Sequence, residues 1–195
     1  MGDEGYLGTM RALERFRTAA VVLVAIALAI PGVTASSAST NRSLGRSRPA
    51  CTITGSNGED HLRGTPGPDV ICGRGGPDFI DGNRGRDLIF GGAGQDLVTG
   101  GIGADKIRGE TGRDIIYGDE GRDELFGGRA RDDARGGPGR DRILGGVGSD
   151  FCLNAIDGHP GDRVLGGPGF DTGDMDAGDH LRSVERITDN VCFGE

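Results

Sequence analysis

The chain has 195 residues, 40 of them glycine, with no tryptophan and only two tyrosines. Glycine at that density excludes a helical bundle, because each helix-interior glycine costs about 1 kcal/mol relative to alanine, and its spacing is not the every-third-residue pattern of collagen. A formal net charge of -8, with a single lysine (Lys106) among 22 basic residues, argues against nucleic acid as a partner and for cations.

Residues 1–35 read as a signal peptide. Arg11, Arg15 and Arg17 precede an apolar run from Ala19 to Ile30, and Val33, Thr34 and Ala35 offer a small-residue cleavage site. The run is shorter than the roughly 20 residues a spanning helix needs, so no stable membrane span is expected after cleavage. The mature chain is expected to be secreted and extracellular, with cell-surface association left open. Residues 36–50 are rich in serine and arginine, lack apolar periodicity, and are expected to be a disordered linker.

Cys51, Cys72, Cys152 and Cys192 bracket the remainder of the chain. In an oxidising compartment they are expected to form two disulfides. Three connectivities are open, and proximity favours Cys51 with Cys72 and Cys152 with Cys192.

From Gly55 to Leu153 the chain divides into eleven units of nine residues, such as GRGGPDFID and GETGRDIIY. The first position is always glycine, the fourth is glycine except at Ala130, and the sixth is always aspartate. The eighth is apolar: Leu62, Ile71, Ile80, Ile89, Val98, Ile107, Ile116, Leu125, Ala134, Ile143 and Cys152. This pattern predicts a three-residue strand with one inward side chain, then a six-residue turn whose glycines reach backbone angles closed to other residues. Two units per coil stack residues 18 apart at the β spacing of about 4.8 Å, an all-β solenoid with hydrogen bonds running between coils. Residues 51–153 therefore form one predicted domain. Beyond it, residues 154–195 hold degenerate units and a C-terminal cap, for which Leu181, Val184 and Ile187 can supply an apolar lid.

Units of the form GGxGxDxUx resemble the hemolysin-type calcium-binding repeats of RTX proteins, and the resemblance covers residues 55–153. The segment CLNAIDG, Cys152 to Gly158, is similar to the cap of small secreted bacterial proteins made of little else. The resemblance implies a right-handed parallel β-roll with calcium held in the turns, and it brings no assigned enzymatic activity with it.

Calcium is a hard cation that takes six to eight oxygens, from carboxylates and backbone carbonyls. Stacking at 18 residues yields two ladders of sixth-position aspartates as candidate metal ligands. One holds Asp60, Asp78, Asp96, Asp114, Asp132 and Asp150; the other holds Asp69, Asp87, Asp105, Asp123 and Asp141. Unit nine, with Ala130 and Ala134, puts the rung at Asp132 in question. Carboxylates stacked near 5 Å repel by about 1 kcal/mol even in water, so folding is expected to be coupled to calcium.

Asp174, Asp176, Asp179 and Glu185 loosely resemble a calcium loop but read as an acidic cap. Arg86, Arg113, Arg122, Arg131 and Arg140 share the fifth position and are expected to shade the acidic turns. The alternative use of such stripes is binding anionic wall polymers or sugars, and the alternative function is calcium-dependent adhesion, by the roll's flat faces, to extracellular polysaccharide or cell-wall polymer. No HExxH, GxSxG or phosphate-loop motif is present, and the histidines are scattered, so the chain is not expected to be an enzyme.

Overall fold

The structure is a computed structural model that describes residues 48–184 and the backbone of Arg186 and Ile187. The predicted signal peptide, nearly all of the predicted linker, Glu185 and Cys192 lie outside the described residues. Among those described there is no helix, and so none long and apolar enough to cross a membrane.

The strands follow one another as β1 (Ile53–Thr54), β2 (His61–Arg63), β3 (Val70–Gly75), β4 (Phe79–Asp81), β5 (Arg84–Gly85) and β6 (Leu88–Ala93). Next come β7 (Leu97–Gly103), β8 (Lys106–Thr111), β9 (Ile115–Gly121), β10 (Glu124–Arg129), β11 (Asp133–Arg135) and β12 (Arg142–Val147). The series closes with β13 (Leu153–Ala155), β14 (Arg163–Leu165), β15 (Thr172–Met175), β16 (His180–Arg182) and β17 (Arg186–Ile187). They alternate between two parallel sheets. One runs β1-β3-β6-β8-β10-β12-β14-β16 and the other β17-β15-β13-β11-β9-β7-β4-β2, with β5 against β7.

Register follows the predicted 18-residue step. Ile71, Ile89, Ile107, Leu125 and Ile143 stack in one sheet, and Leu62, Ile80, Val98, Ile116 and Ala134 in the other. The roll is therefore a parallel β-solenoid with two repeats per coil, as the spacing predicts. All of these side chains except the end residue Leu62 are buried, in a core that each repeat feeds with one residue.

One predicted core position is corrected. Ala134 stacks on Leu153, not on Cys152, so this step spans 19 residues. Leu153 is fully buried, whereas Cys152 is half-buried, adopts φ +57° and is disulfide-bonded. The larger apolar side chain takes the interior, and the extra residue is left in a bulge at the edge of the core.

Beyond Leu153 the strands keep pairing in parallel, with Ala155 and Val164 buried in the core and Leu181 and Val184 packed partly buried against it. Ile187 enters through its backbone pairing with Gly173. At the other end Cys51 and Cys72 form a disulfide, tying the segment before β1 to β3.

Candidate metal centre

The turn between strands has two positions that require glycine-like geometry. From unit three onward the second residue takes positive φ, including Arg74 (83°), Asn83 (75°), Glu110 (79°) and Asp119 (66°). From unit three to unit ten the fourth position does so too, and even Ala130 adopts φ +88° there. Left-handed residues at these two points turn the chain tightly enough that the sixth-position carboxylate folds back beneath its own turn.

The two oxygens of each ladder carboxylate then have different fates. Oδ1 accepts a hydrogen bond from the backbone N–H of the aspartate one coil earlier. Asp60, Asp78, Asp96, Asp114 and Asp132 donate in this way to the next rung at 2.9–3.0 Å. On the other edge Asp69, Asp87, Asp105 and Asp123 donate at 2.8 Å. Both predicted ladders are thus physically assembled.

Oδ2 has no such donor. In Asp78, Asp87, Asp96, Asp105, Asp114, Asp123, Asp132, Asp141 and Asp150 it is buried and accepts no hydrogen bond. An ionised carboxylate oxygen left so is costly unless a cation or proton compensates it.

The space it faces is defined by the first-position glycines. A Cβ on Gly73 would lie 2.4 Å from Oδ2 of Asp78 and 2.3 Å from the carbonyl oxygen of Gly91, one coil on. On Gly109 it would lie 2.3 Å from Oδ2 of Asp114 and 2.6 Å from the Gly127 carbonyl; on Gly127, 2.7 Å from Oδ2 of Asp132 and 2.4 Å from the Gly145 carbonyl. The repeated glycine thus keeps open a cradle into which one carboxylate and one carbonyl oxygen converge. Among the described residues no three His, Cys, Asp or Glu side chains gather as a conventional metal cluster. Each rung gives one carboxylate, and carbonyls must supply the rest of an oxygen-only donor set. Such a set fits a hard divalent cation, calcium above all.

The electrostatics agree. Burial, reinforced by neighbouring carboxylates, pushes the Asp123 carboxyl up to about 8, Asp132 and Asp141 to about 7, and Asp87, Asp114 and Asp150 to about 6. Asp78, Asp96 and Asp105 are raised for the same first reason. The ladder as folded resists carrying its full negative charge.

The first rung on each edge is built differently. Oδ2 of Asp60 accepts from the N–H (2.6 Å) and hydroxyl (2.9 Å) of Ser56, and that of Asp69 from the N–H (2.7 Å) and hydroxyl (2.9 Å) of Thr65. These bonds, the backbone ones first, hold both carboxyls below their ordinary value. Serine and threonine occur at the second position only in these two units, which is the signal that marked them.

The questioned rung keeps its geometry. Asp132 donates to Asp150, Ala134 is buried in register, and its Oδ2 faces the Gly127 cradle. The ladders also run further than predicted. Asp141 donates to Oδ1 of Asp162 at 2.6 Å, and Asp150 to Oδ1 of Asp171 at 2.9 Å. Oδ2 of Asp162 is buried without a donor, and burial pushes this carboxyl to about 6. Asp171 was legible in GGPGFD; Asp162 was masked because its unit, GHPGDRVL, lacks one residue before the aspartate. In the acidic cap, Asp176 and Asp179 accept bonds from the amides of Asp157, Gly158, Gly161 and Asp162, and Asp174 is buried in β15.

No curated protein matches the chain. The family model of the RTX calcium-binding nonapeptide repeat (4 copies) matches residues 54–76, 63–98, 73–107, 99–134 and 126–153. Together these stretches cover residues 54–153, just over half of the sequence and the same span as the regular coils and their oxygen-lined cradles. The chain belongs to the RTX calcium-binding nonapeptide repeat family.

Proposed function

We propose that this calcium-binding repeat protein is exported and non-enzymatic, and that its ladder aspartates hold the ions between coils, so that the roll forms as calcium binds. The observation that carries this reading is the row of nine buried Oδ2 atoms from Asp78 to Asp150, each without a hydrogen-bond donor; at every one but Asp141 a glycine carbonyl converges on the same first-position glycine. Asp162 extends the ligand set by one rung. Asp60 and Asp69, already satisfied by Ser56 and Thr65, act chiefly as metal-free end rungs. Export is supported by the charged and apolar pattern of residues 11–35 and by the Cys51–Cys72 disulfide, a bond suited to an oxidising compartment.

The test is isothermal titration of the mature protein with calcium, paired with circular dichroism. At pH 8 several ions should bind, with strand content appearing only with calcium. Fewer than about two bound ions, or a spectrum identical in chelator and in millimolar calcium, would overturn the proposal.

A further inference from the structure

We infer that the edge of the roll floored by Asp87, Asp105, Asp123 and Asp141 is a calcium-gated groove for a linear carboxylated polysaccharide; this rests on the calcium reading above. A groove of about 620 Å³ runs along this edge. Fifth-position Arg86, Arg122 and Arg140 line one rim. Lys106, Arg142 and Arg163, from β8, β12 and β14, line the other. The acid among the rim residues, Glu124, is paired with Lys106 and with Arg142.

Arg86, Arg122, Arg140 and Arg163 are exposed and have no ion pair or hydrogen bond among the described residues. The opposite edge differs. There Arg131 lies 4.8 Å over the Phe151 ring, and Arg113 and Arg131 act on the half-buried Asp133. Exposed arginines in the turns of that edge, Arg74 and Arg129, are unpaired as well, so it is the groove and not the count of free guanidinium groups that distinguishes the first edge.

Folding supplies the gate: without calcium the roll, and with it the groove, does not assemble. Calcium in the ladder neutralises the floor and leaves the rims as a positive trough in a concave setting, where potentials are strongest. Rim positions recur at the coil spacing of about 4.8 Å, close to the length of one pyranose residue. A polymer with one carboxylate per sugar therefore advances about one coil per residue and meets an unpaired arginine at Arg86, Arg122, Arg140 and Arg163, with Ala104 leaving a gap in the first rim. No aromatic side chain lines the groove, so the stacking platform that holds single-stranded nucleic acid is missing.

The experiment is fluorescence anisotropy of a labelled short oligogalacturonate with the full mature protein, in millimolar calcium and in chelator. Labelled neutral dextran and single-stranded DNA serve as competing probes, and circular dichroism is recorded on every sample. Binding of the oligogalacturonate only with calcium is expected. In the variant Arg122→Gln/Arg140→Gln/Arg163→Gln it should be roughly tenfold weaker, as loss of three exposed charge contacts gives, with the calcium-induced spectrum unchanged. A calcium-folded wild type that fails to bind, binds DNA as well, or binds as tightly when the arginines are removed overturns the groove and leaves the calcium reading standing. A chain whose spectrum ignores calcium overturns both.

Discussion

Each ladder aspartate divides its work between two oxygens, one fixed by an amide and one turned to the cradle. Asp114→Asn keeps the acceptor for Asp96 but removes the charge from Oδ2. Even outer-shell partners of a metal are worth about 10–100-fold in affinity, so titration should show at least about a tenfold weaker calcium midpoint. Asp60→Asn, whose carboxylate is already held by Ser56, should leave the number of bound ions unchanged. An equal effect of both substitutions would refute the distinction between inner and end rungs. Proton linkage belongs at this scale too. Folded carboxyls raised to about 6–8 from an ordinary 3.8 bind protons that the unfolded chain has released. In chelator, stability should therefore fall as pH rises from about 4 through 8 and be lowest above that window. Asp60 and Asp69 are shifted the opposite way, and their contribution is lost only below about pH 4, outside this window. Circular dichroism in chelator at pH 5 and pH 8 checks the sign: strand content should be greater at pH 5, and more strand at pH 8 would contradict it.

At the scale of the turn and strand, packing between coils is tighter than any sequence spacing reveals. A Cβ on Gly112, at φ +134°, would lie 1.5 Å from the Gly94 carbonyl oxygen. Gly112→Ala should therefore cost more than about 3 kcal/mol of the calcium-loaded fold. Gly58 holds the same repeat position, but in the differently built first turn, where a Cβ meets nothing nearer than 3.9 Å. Gly58→Ala should change stability by less than about 0.5 kcal/mol, and denaturant melts of the two variants separate turn strain from a general intolerance of substitution. Cys152 belongs here as well. Its bulge carries the chain from an 18-residue to a 19-residue step at the point where the regular units end.

For the whole molecule, a core one side chain deep per repeat leaves stability to the calcium rungs and to the ends. The Cys51–Cys72 bond closes a loop with a sequence separation of 21, which the chain-entropy account values at about 3 kcal/mol. Cys51→Ser/Cys72→Ser should lower stability by about that amount without changing calcium stoichiometry. Loss of bound ions in this variant would show that the N-terminal coil templates the ladder and does not merely cap it.

The nonapeptide by itself determined the solenoid, the two-unit coil, the 18-residue register and both aspartate ladders, because period and pleat leave one inward position and one turn carboxylate per unit. Three matters were decided only by the tertiary structure. Which carboxylate oxygen stays without a donor depends on an amide one coil away, as between Asp96 and Asp114. That Leu153 displaces Cys152 from the core depends on competition for one buried slot, which the spacing alone assigns to the wrong residue. That Asp162 joins the ladder depends on the stacking of coils, which tolerates a shortened unit as long as its aspartate reaches the amide of Asp141.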